Sequence, residues 1–541
     1  MAIADPIKEG LARGWKVAAS PKNQADITCD VVIVGTGAGG GVSAELLAKA
    51  GLDVVLIEEG MLKSSSDFKM READAYPQLY QESAARKTKD KAINILQGRA
   101  VGGSTTVNWT SSFRTPHATQ AYWREKFGLT EMTPEALGPF FSQAETRLDI
   151  GAWLTPPNEN NDLLKRGAAK LGIPAPAILR NVRGCWNLGY CGMGCPTNAK
   201  QSMLVTTLPF ALDRGARLFT RCSAHKFEFS GNQVQALVVQ PLDALGLAPE
   251  GNAFRIKAKH YVLAGGAINS PGVLLRSAAP DPHKTLGTRT FLHPVVISSA
   301  LMEQKVEGYA GAPQTIYSDH FLDSLPIDGE GHEKQMGYKL EAPPLHPVLF
   351  ASTVHGFGQV HADIMADFSR THALLALLRD GFHPESAGGK VELRKDGSPV
   401  LDYPISDYVW DGARRALLSM AEIQFAAGAK RVYPVHEQSG GYASWQEAKT
   451  AITNLPMKPL ITRVVSAHVM GGAGMAADAN KGVTRPDGRH WQIENLSVFD
   501  GSLFPTSIGA NPQLSIYGLT TKLASRLAAQ LSGKPAPRLD A

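Results

Sequence analysis

The chain has 541 residues, of which 43% are hydrophobic, so it can form a large buried core and is not intrinsically disordered. Its 55 lysines and arginines nearly balance 50 aspartates and glutamates, and the net charge of +5 is slight. No concentrated basic stripe is present, which argues against a nucleic-acid partner. Five cysteines in a chain of this length do not make a disulfide framework.

The beginning of the chain has no basic segment followed by an apolar stretch, and no run approaches the roughly 18 apolar residues of a membrane helix. We therefore expect a cytoplasmic protein without a transmembrane segment. Export to the periplasm or to a membrane, bound to a partner that carries a signal peptide, stays an alternative because it would leave no trace in this chain.

The first regular elements predict a β-α-β unit. Residues 30–34 are a short apolar run typical of a buried parallel strand. Residues 42–50 have helical spacing, and residues 54–57 form a second apolar strand. A unit of this length is the building block of a parallel sheet.

A glycine motif joins the first strand to the helix. Gly35, Gly37 and Gly40 have the spacing G-x-G-x-x-G, and Glu58 ends the second strand. The first glycine permits a tight turn, the second lets a pyrophosphate approach the backbone, and the third allows close helix–strand packing. The helix N-terminus then binds phosphate, and the carboxylate accepts ribose hydroxyls. The motif predicts a dinucleotide site without separating FAD from NAD.

A second glycine-rich segment spans residues 98–108 and contains Gly102, Gly103, Ser104 and Asn108. Its backbone N–H groups and small hydroxyls suit a large flat ligand that lies close to the chain. An ordinary Gly/Ser loop is the alternative.

Three cysteines, Cys185, Cys191 and Cys195, lie within eleven residues of a glycine-rich stretch. Closely spaced thiolates can wrap a metal centre, and a final Cys-Pro is typical of iron–sulfur sequences. Three local ligands favour a three-iron cluster over a zinc site built from four cysteines. A structural loop without metal is the alternative.

The later segments alternate between patterns typical of strands and patterns typical of helices. Residues 259–264 predict another buried strand that meets glycines, and residues 297–460 have mixed periodicity typical of an antiparallel sheet with helices. Within them, residues 411–429 have helical composition and a glycine near the end that would terminate the helix. Residues 496–501 predict a strand that meets glycine, and residues 513–531 predict a long helix.

Four separate motifs in this order resemble the glucose–methanol–choline (GMC) flavoprotein oxidoreductase family. They are the residues 98–108, the stretch that begins at Gly266, the region of His468, and the block from Asp500 to Pro512. The resemblance covers about residues 28–300 and 400–532. The second motif departs from the family pattern, since Ala278 stands where members usually have glycine.

The resemblance implies FAD as the cofactor. The residues implied to hold it are Gly35, Gly37, Gly40, Glu58, Arg99, Gly102, Gly103, Ser104, Asn108, Asp500, Gly501 and Pro512. Some members attach FAD covalently through a histidine just before the asparagine of the first motif. Val107 occupies that position here, so we expect FAD to be bound non-covalently.

The resemblance also implies the chemistry, which is oxidation of a primary alcohol to the aldehyde by hydride transfer to flavin N5. His468 corresponds to the family's base, and neutral imidazole suits that role near pH 7. Asn511 corresponds to the residue that holds the substrate oxygen, and the two together match the family's His/Asn variant. They are the predicted catalytic residues.

The substrate and the electron acceptor are less specified. The segment 191–205 resembles long-chain alcohol oxidoreductases, so a medium- or long-chain aliphatic alcohol is expected, with sugars or polyols as the alternative. The cysteine spacing resembles the family's dehydrogenase branch, which carries a [3Fe-4S] cluster and passes electrons to a separate protein subunit or a cytochrome. An alcohol oxidase that makes hydrogen peroxide and, more remotely, a flavin-containing lyase are the alternatives.

The implied fold is α/β, with a Rossmann-like FAD-binding domain on a parallel sheet and an α+β substrate domain on an antiparallel sheet. The FAD-binding domain is expected to be discontinuous, over residues 28–116, 197–296 and 462–535. The substrate domain is expected over residues 117–196 and 297–461.

Overall fold

The computed structural model of the chain describes residues 3–323 and 334–540. Most of its longer helices lie in three regions: near the start of the chain, around residue 140, and in the last third. The helices are Pro6–Ala12, Ala38–Lys49, Glu72–Leu79, His117–Phe127, Pro134–Arg147, Glu159–Lys170, Thr207–Asp213, Asn269–Arg276, His320–Asp323, Pro347–Thr353, Gln359–Ala366, Asp407–Ala426, Trp445–Asn454 and Gln513–Ser532.

The first sheet is mainly parallel. In spatial order its strands are Lys16–Ala19, Arg217–Thr220, Val54–Glu58, Ile27–Val34, Phe254–Leu263, Gln233–Pro241 and Cys222–Ser230, and Leu496–Val498 also pairs with Phe254–Leu263. The pairings that involve Gln233–Pro241 are antiparallel and the others are parallel. Ligands bind to sheets of this kind beyond the carboxyl ends of the parallel strands.

The centre of this sheet is buried on both faces. Val31, Val32 and Ile33 have no exposed surface, as expected of a parallel strand covered by helices on each side. The helix Ala38–Lys49 packs against the final helix Gln513–Ser532. The beginning and the end of the chain therefore meet beside the first glycine motif.

The second sheet is largely antiparallel. In spatial order its strands are Tyr317–Ser318, Tyr338–Glu341, Thr371–Leu378, Val295–Leu301, Val464–Ser466 and Ile93–Ile95, and Arg431–Pro434 also pairs with Val295–Leu301. Only the pairing of Val464–Ser466 with Ile93–Ile95 is parallel among the described strands of this sheet. The long helix Asp407–Ala426 packs on it. Three short strand pairs lie outside both sheets among the described residues: Thr290–Phe291 with Met470–Gly471, Lys390–Leu393 with Pro399–Asp402, and Ile150–Ala152 with Leu179–Asn181.

The expected fold class is confirmed, because a mainly parallel sheet and a largely antiparallel sheet each have a hydrophobic core. The domain boundaries stay a prediction. Ile93–Ile95 and Val464–Ser466 belong to the second sheet, although both lie in ranges assigned to the FAD-binding domain. Within the described part of the chain, every helix is too short or too polar to cross a membrane.

Ala278 ends the helix Asn269–Arg276 in a conformation that favours glycine. Its φ is +48°, in the left-handed region. The N–H of Ala278 bonds the Leu275 carbonyl at 3.1 Å, and the N–H of Ala279 bonds the Leu274 carbonyl at 3.0 Å, which together form a Schellman motif. This geometry explains why the glycine expected at this position would suit the backbone better.

We expect Ala278→Gly to stabilise the protein. A left-handed alanine costs roughly 1–2 kcal/mol, part of which is offset by the entropy of glycine in the unfolded chain, so the gain should be about 1 kcal/mol. The side chain of Ala278 is exposed, so its removal sacrifices no packing. Ser277→Gly is the matched control, since Ser277 has a right-handed φ of −83° and should not gain. Thermal or urea unfolding measures the stability of both variants. A less stable Ala278→Gly protein would contradict the inferred backbone strain at Ala278.

Candidate functional site

One cavity of about 740 Å³ lies beyond the carboxyl ends of the parallel strands. Its wall includes the first glycine motif from Gly35 to Gly39, the second motif around Gly103, and the polar side chains of His468 and Asn511. The volume falls in the range of about 300–1,000 Å³ that is typical of ligand and cofactor sites. The cavity brings together segments from the beginning, middle and end of the chain.

The two glycine motifs touch each other through their backbones. Gly103 has φ +53°, and a Cβ on it would lie 2.6 Å from the Cα of Gly37. Gly35 has φ +93°, and a Cβ there would lie 2.4 Å from the carbonyl oxygen of Ala264. No side chain fits at either point, so the cavity wall here is bare backbone. Such a cradle suits the close approach of a dinucleotide.

Thr36 and Glu58 join the two motifs. The Glu58 carboxylate accepts hydrogen bonds from the Thr36 hydroxyl at 2.6 Å, the Thr36 N–H at 3.1 Å and the Gly60 N–H at 2.8 Å. The Thr36 hydroxyl oxygen in turn accepts the N–H of Gly102 at 3.0 Å. Burial raises the pKa of Glu58, although these donors oppose the shift.

Asp500 ties the C-terminal block to the motif that begins at Gly266. Its Oδ2 accepts the Gly266 N–H at 2.8 Å and the Ser270 hydroxyl at 2.6 Å. Its Oδ1 accepts the N–H of Ser502 at 2.8 Å and the Ser502 hydroxyl. The pKa of the Asp500 carboxyl is raised because the group is buried. Asp500 therefore holds two cavity-lining loops together.

Asn108 and the start of the final helix are also linked. The Asn108 Nδ2 donates to Gln513 Oε1 at 2.6 Å. Lys200, which the sequence did not single out, donates from Nζ to the carbonyls of Thr106 at 2.9 Å, Asn108 at 2.6 Å and Cys191 at 2.8 Å. Burial lowers the pKa of Lys200 to about 8. The second glycine segment is thus held from two sides.

His468 lies on the cavity wall just after the strand Val464–Ser466. Its Nδ1 is 3.2 Å from Nδ1 of the buried His293, so one of the two rings donates a hydrogen bond to the other. Burial and the charge of Lys339 lower the pKa of His468 to about 4. The pKa of His293 is also held well below its ordinary value by burial and by nearby positive charges. Both imidazoles are therefore neutral at pH 7.

Asn511 precedes the helix Gln513–Ser532 and is a largely buried residue of the same wall. Its Nδ2 donates to Glu341 Oε2 at 3.3 Å, while its Oδ1 has no hydrogen-bond partner in the protein. Burial raises the pKa of Glu341 to about 7, although the charge of Lys339 opposes the shift. The amide and the imidazole of His468 line one cavity, and their catalytic roles stay predictions.

Most of the residues predicted to hold the cofactor line this cavity. They are Gly35, Gly37, Glu58, Arg99, Gly103, Ser104, Asn108, Asp500, Gly501 and Pro512. Gly40 and Gly102 lie just behind it: a Cβ on Gly40 would lie 2.0 Å from the Gly35 carbonyl oxygen, and Gly102 meets Thr36. Their individual roles in binding stay predictions, but the bare backbone and the volume fit FAD.

Cys185, Cys191 and Cys195 are not part of the cavity wall, and the expected [3Fe-4S] cluster has no support. Over residues 3–323 and 334–540, no three His, Cys, Asp or Glu side chains are grouped as metal ligands. Each thiol has its own neighbour: Cys185 accepts the Asn187 N–H at 3.4 Å, Cys191 lies 3.9 Å from Arg180, and Cys195 contacts Thr197 at 3.4 Å.

The cysteine loop instead supports the cavity wall through its backbone. The carbonyl of Gly192 accepts the Tyr80 hydroxyl at 2.6 Å, and the carbonyl of Cys191 accepts Lys200 at 2.8 Å. A Cβ on Gly192 would lie 3.1 Å from the ring of Trp109, which lines the cavity. Close packing under Trp109 accounts for Gly192 without a metal.

Several residues at the site carried no sequence signal. Thr36, Lys200, His293, Glu341 and Gln513 each act through partners that are distant in the chain. Lys200 lies in the segment that resembles long-chain alcohol oxidoreductases, which was its only signal. The others follow or precede motif residues without a pattern of their own.

Models of the GMC oxidoreductase family match residues 76–295 and 384–520 of the chain. A long-chain-alcohol oxidase of Arabidopsis thaliana is 28% identical over 91% of this chain and 67% of its own length. An uncharacterised GMC-type oxidoreductase of Mycobacterium tuberculosis is 30% identical over 93% of this chain and 76% of its own length.

Solved structures share the fold at low identity. A formate oxidase variant from Aspergillus oryzae superposes with a TM-score of 0.70 at 15% identity, over 94% of this chain and 99% of that chain. Pyridoxine 4-oxidase from Mesorbium loti gives a TM-score of 0.67 at 18% identity, over 92% and 99%. These likenesses support the two-sheet architecture.

We expect Gly103→Ala to lose most of its bound flavin, because its left-handed backbone costs an alanine roughly 1–2 kcal/mol and the new methyl displaces the facing loop. Gly138→Ala is the matched control, since a Cβ at Gly138 has no heavy atom within 4 Å. Flavin content per protein, measured by visible absorbance after gel filtration, separates the two. Full occupancy in Gly103→Ala would mean that the backbone contact with Gly37 does not shape the site.

Proposed function

Since the chain belongs to the GMC oxidoreductase family, we propose that it is an oxidase of medium- or long-chain primary alcohols that passes electrons to oxygen. At the coarser level it is an FAD-dependent oxidoreductase that acts on CH–OH donors. The observation that carries the proposal is the joint placement of His468 and Asn511 on the wall of the cavity that holds both glycine motifs. The alcohol and the acceptor are inferred from relatives.

The relatives support an oxidase more than the dehydrogenase that the cysteine spacing suggested. Several plant relatives at 26–28% identity are named long-chain-alcohol oxidases, and a more distant one from Streptomyces lividus is named an oxidase as well. The prediction of a protein electron acceptor depended on an iron–sulfur cluster that would relay electrons. The described cysteines do not form a metal-binding group.

FAD, when bound, supplies the acceptor for the hydride of the alcohol carbon. We assign removal of the hydroxyl proton to His468, and its contact with His293 supports a particular tautomer for that role. If the Nδ1–H of His468 donates a hydrogen bond to His293 Nδ1, the Nε2 of His468 keeps a lone pair for the substrate. His293 is then a positioning residue that selects this tautomer. The low pKa of His468 keeps the lone pair free at neutral pH.

Asn511 holds the substrate oxygen through its amide. The amide is buried and anchored by Glu341, so it loses little freedom when substrate binds. The final helix begins at Gln513, and its N-terminus favours negative charge that develops nearby. Val107, in place of a histidine, leaves non-covalent attachment as the proposed mode of flavin binding. The cellular compartment and any partner protein stay predictions.

We expect the purified protein to consume oxygen and form hydrogen peroxide with dodecanol or octanol. Glucose and sorbitol, tested in parallel, should give lower kcat/KM, because the proposed substrate is apolar. An oxygen electrode measures the aerobic rate, and an artificial dye acceptor under argon measures the rate without oxygen. Turnover that requires the dye would show that the protein is a dehydrogenase and not an oxidase. A higher kcat/KM for sorbitol than for the aliphatic alcohols would contradict the proposed substrate class.

We expect His468→Ala to keep its fold and flavin but to reduce the flavin about 10²–10⁴-fold more slowly with alcohol, the usual contribution of a positioned base. The exposed His283→Ala is the matched control and should keep the wild-type rate. Anaerobic stopped-flow absorbance measures both. A His468→Ala rate near that of the wild type would place the base elsewhere.

The pH dependence of the same reaction tests the environment of His468. Because burial and Lys339 lower its pKa to about 4, the imidazole stays neutral well below the ordinary titration range of histidine. The acid limb of the reduction rate should therefore lie near pH 4. An acid limb near pH 6.5, the usual pKa of histidine, would show that substrate-bound His468 is not desolvated.

A further inference from the structure

Glu341 stands directly behind Asn511 and belongs to no predicted motif. It ends the strand Tyr338–Glu341, and its side chain has no exposed surface. Its Oε2 accepts hydrogen bonds from Gln314 Nε2 and from Asn511 Nδ2. A buried carboxyl group therefore touches the amide that we assign to the substrate oxygen.

The contact leaves two buried oxygens without partners. Neither Glu341 Oε1 nor Asn511 Oδ1 has a hydrogen-bond partner in the protein. If Glu341 were ionised, both atoms would be acceptors on two side chains that already touch, and each would retain a desolvation cost. A single proton on Oε1 turns one of them into a donor for the other.

The charges around Glu341 allow this proton. Burial raises the pKa of Glu341 to about 7, and the charge of Asp319 adds to the shift. Lys339, two residues earlier on the same strand, opposes it, but its ammonium donates to Asp319 Oδ1 at 2.8 Å and lies 3.6 Å from the centre of the Phe113 ring. On the two neighbouring strands, the residues opposite Glu341 are the apolar Leu375 of Thr371–Leu378 and the aromatic Tyr317 of Tyr317–Ser318.

We propose that Glu341 is a positioning residue that pairs reciprocally with Asn511: its protonated Oε1 donates to Asn511 Oδ1 while its Oε2 accepts from Asn511 Nδ2. Two parallel hydrogen bonds define the plane of the amide. They leave the second Nδ2 hydrogen of Asn511 for the substrate oxygen. This inference rests on the proposed role of Asn511. When Glu341 ionises, Oε1 and Oδ1 repel each other and the amide is held less firmly.

Glu341→Gln tests the pair, because a glutamine amide offers one donor and one acceptor in the same places and does not titrate. The wild-type rate of flavin reduction should fall as the pH rises through about 7, by up to about tenfold per pH unit. Glu341→Gln should keep the wild-type rate at pH 6 and lose this basic limb. Glu341→Leu, which offers neither bond, should retain flavin but reduce it about tenfold or more slowly at every pH.

Glu72→Gln is the matched control. Glu72 is also buried and accepts the Tyr76 hydroxyl at 2.7 Å and the Val348 N–H at 2.7 Å, but it is not part of the cavity wall. Its variant should show the wild-type basic limb. A basic limb that persists in Glu341→Gln, or an equal change in Glu72→Gln, would overturn the pairing.

Infrared spectroscopy gives a readout that does not depend on turnover. The carbonyl band of a protonated carboxylic acid should be present at pH 6, diminish as the pH rises through about 7, and be missing from Glu341→Gln but not from Glu72→Gln. If no alcohol reduces the wild-type flavin, the proposed function fails, yet this titration still tests the proton. If no band at pH 6 depends on Glu341, the carboxyl is ionised and the reciprocal pair is wrong.

Discussion

The site depends on the contact between two stretches of bare backbone. Gly103 approaches Gly37 so closely that a side chain on Gly103 would collide with the Gly37 backbone. Thr36 holds the crossing in place, because its hydroxyl donates to the buried Glu58 and accepts from the N–H of Gly102. The cradle is therefore a property of two loops together. Each loop alone would be an ordinary turn with free N–H groups.

The contacts of His468 and Asn511 involve both sheets. His468 follows a strand of the antiparallel sheet, and its partner His293 immediately precedes the strand Val295–Leu301 of that sheet. Asn511 leads into the final helix, which packs beside the parallel sheet, yet its amide contacts Glu341 on the antiparallel one. The relative placement of the two sheets thus sets how the imidazole and the amide face each other.

Local patterns let the sequence predict the β-α-β unit, both glycine motifs and the two-sheet class, because strand and helix periodicity and glycine spacing are local properties. His468 and Asn511 came from the family resemblance. Lys200, His293 and Glu341 were not predictable in this way, since each acts mainly through contacts with segments that are distant in the chain. The cysteine spacing suggested iron because spacing gives no information on side-chain direction. In the described structure the thiols contact different neighbours, and the loop's carbonyls make the main contacts.

The single ammonium group of Lys200 makes two loops one cooperative unit. It donates hydrogen bonds to the carbonyls of Thr106 and Asn108 on one segment and of Cys191 on another, and Lys200 is almost fully buried. Opening either segment alone would strand a buried cation, so local fluctuations of the two are coupled and their amides should exchange hydrogen together. Because the pKa of Lys200 is lowered to about 8, mildly alkaline solution favours the neutral amine, which has two N–H donors for the three carbonyls.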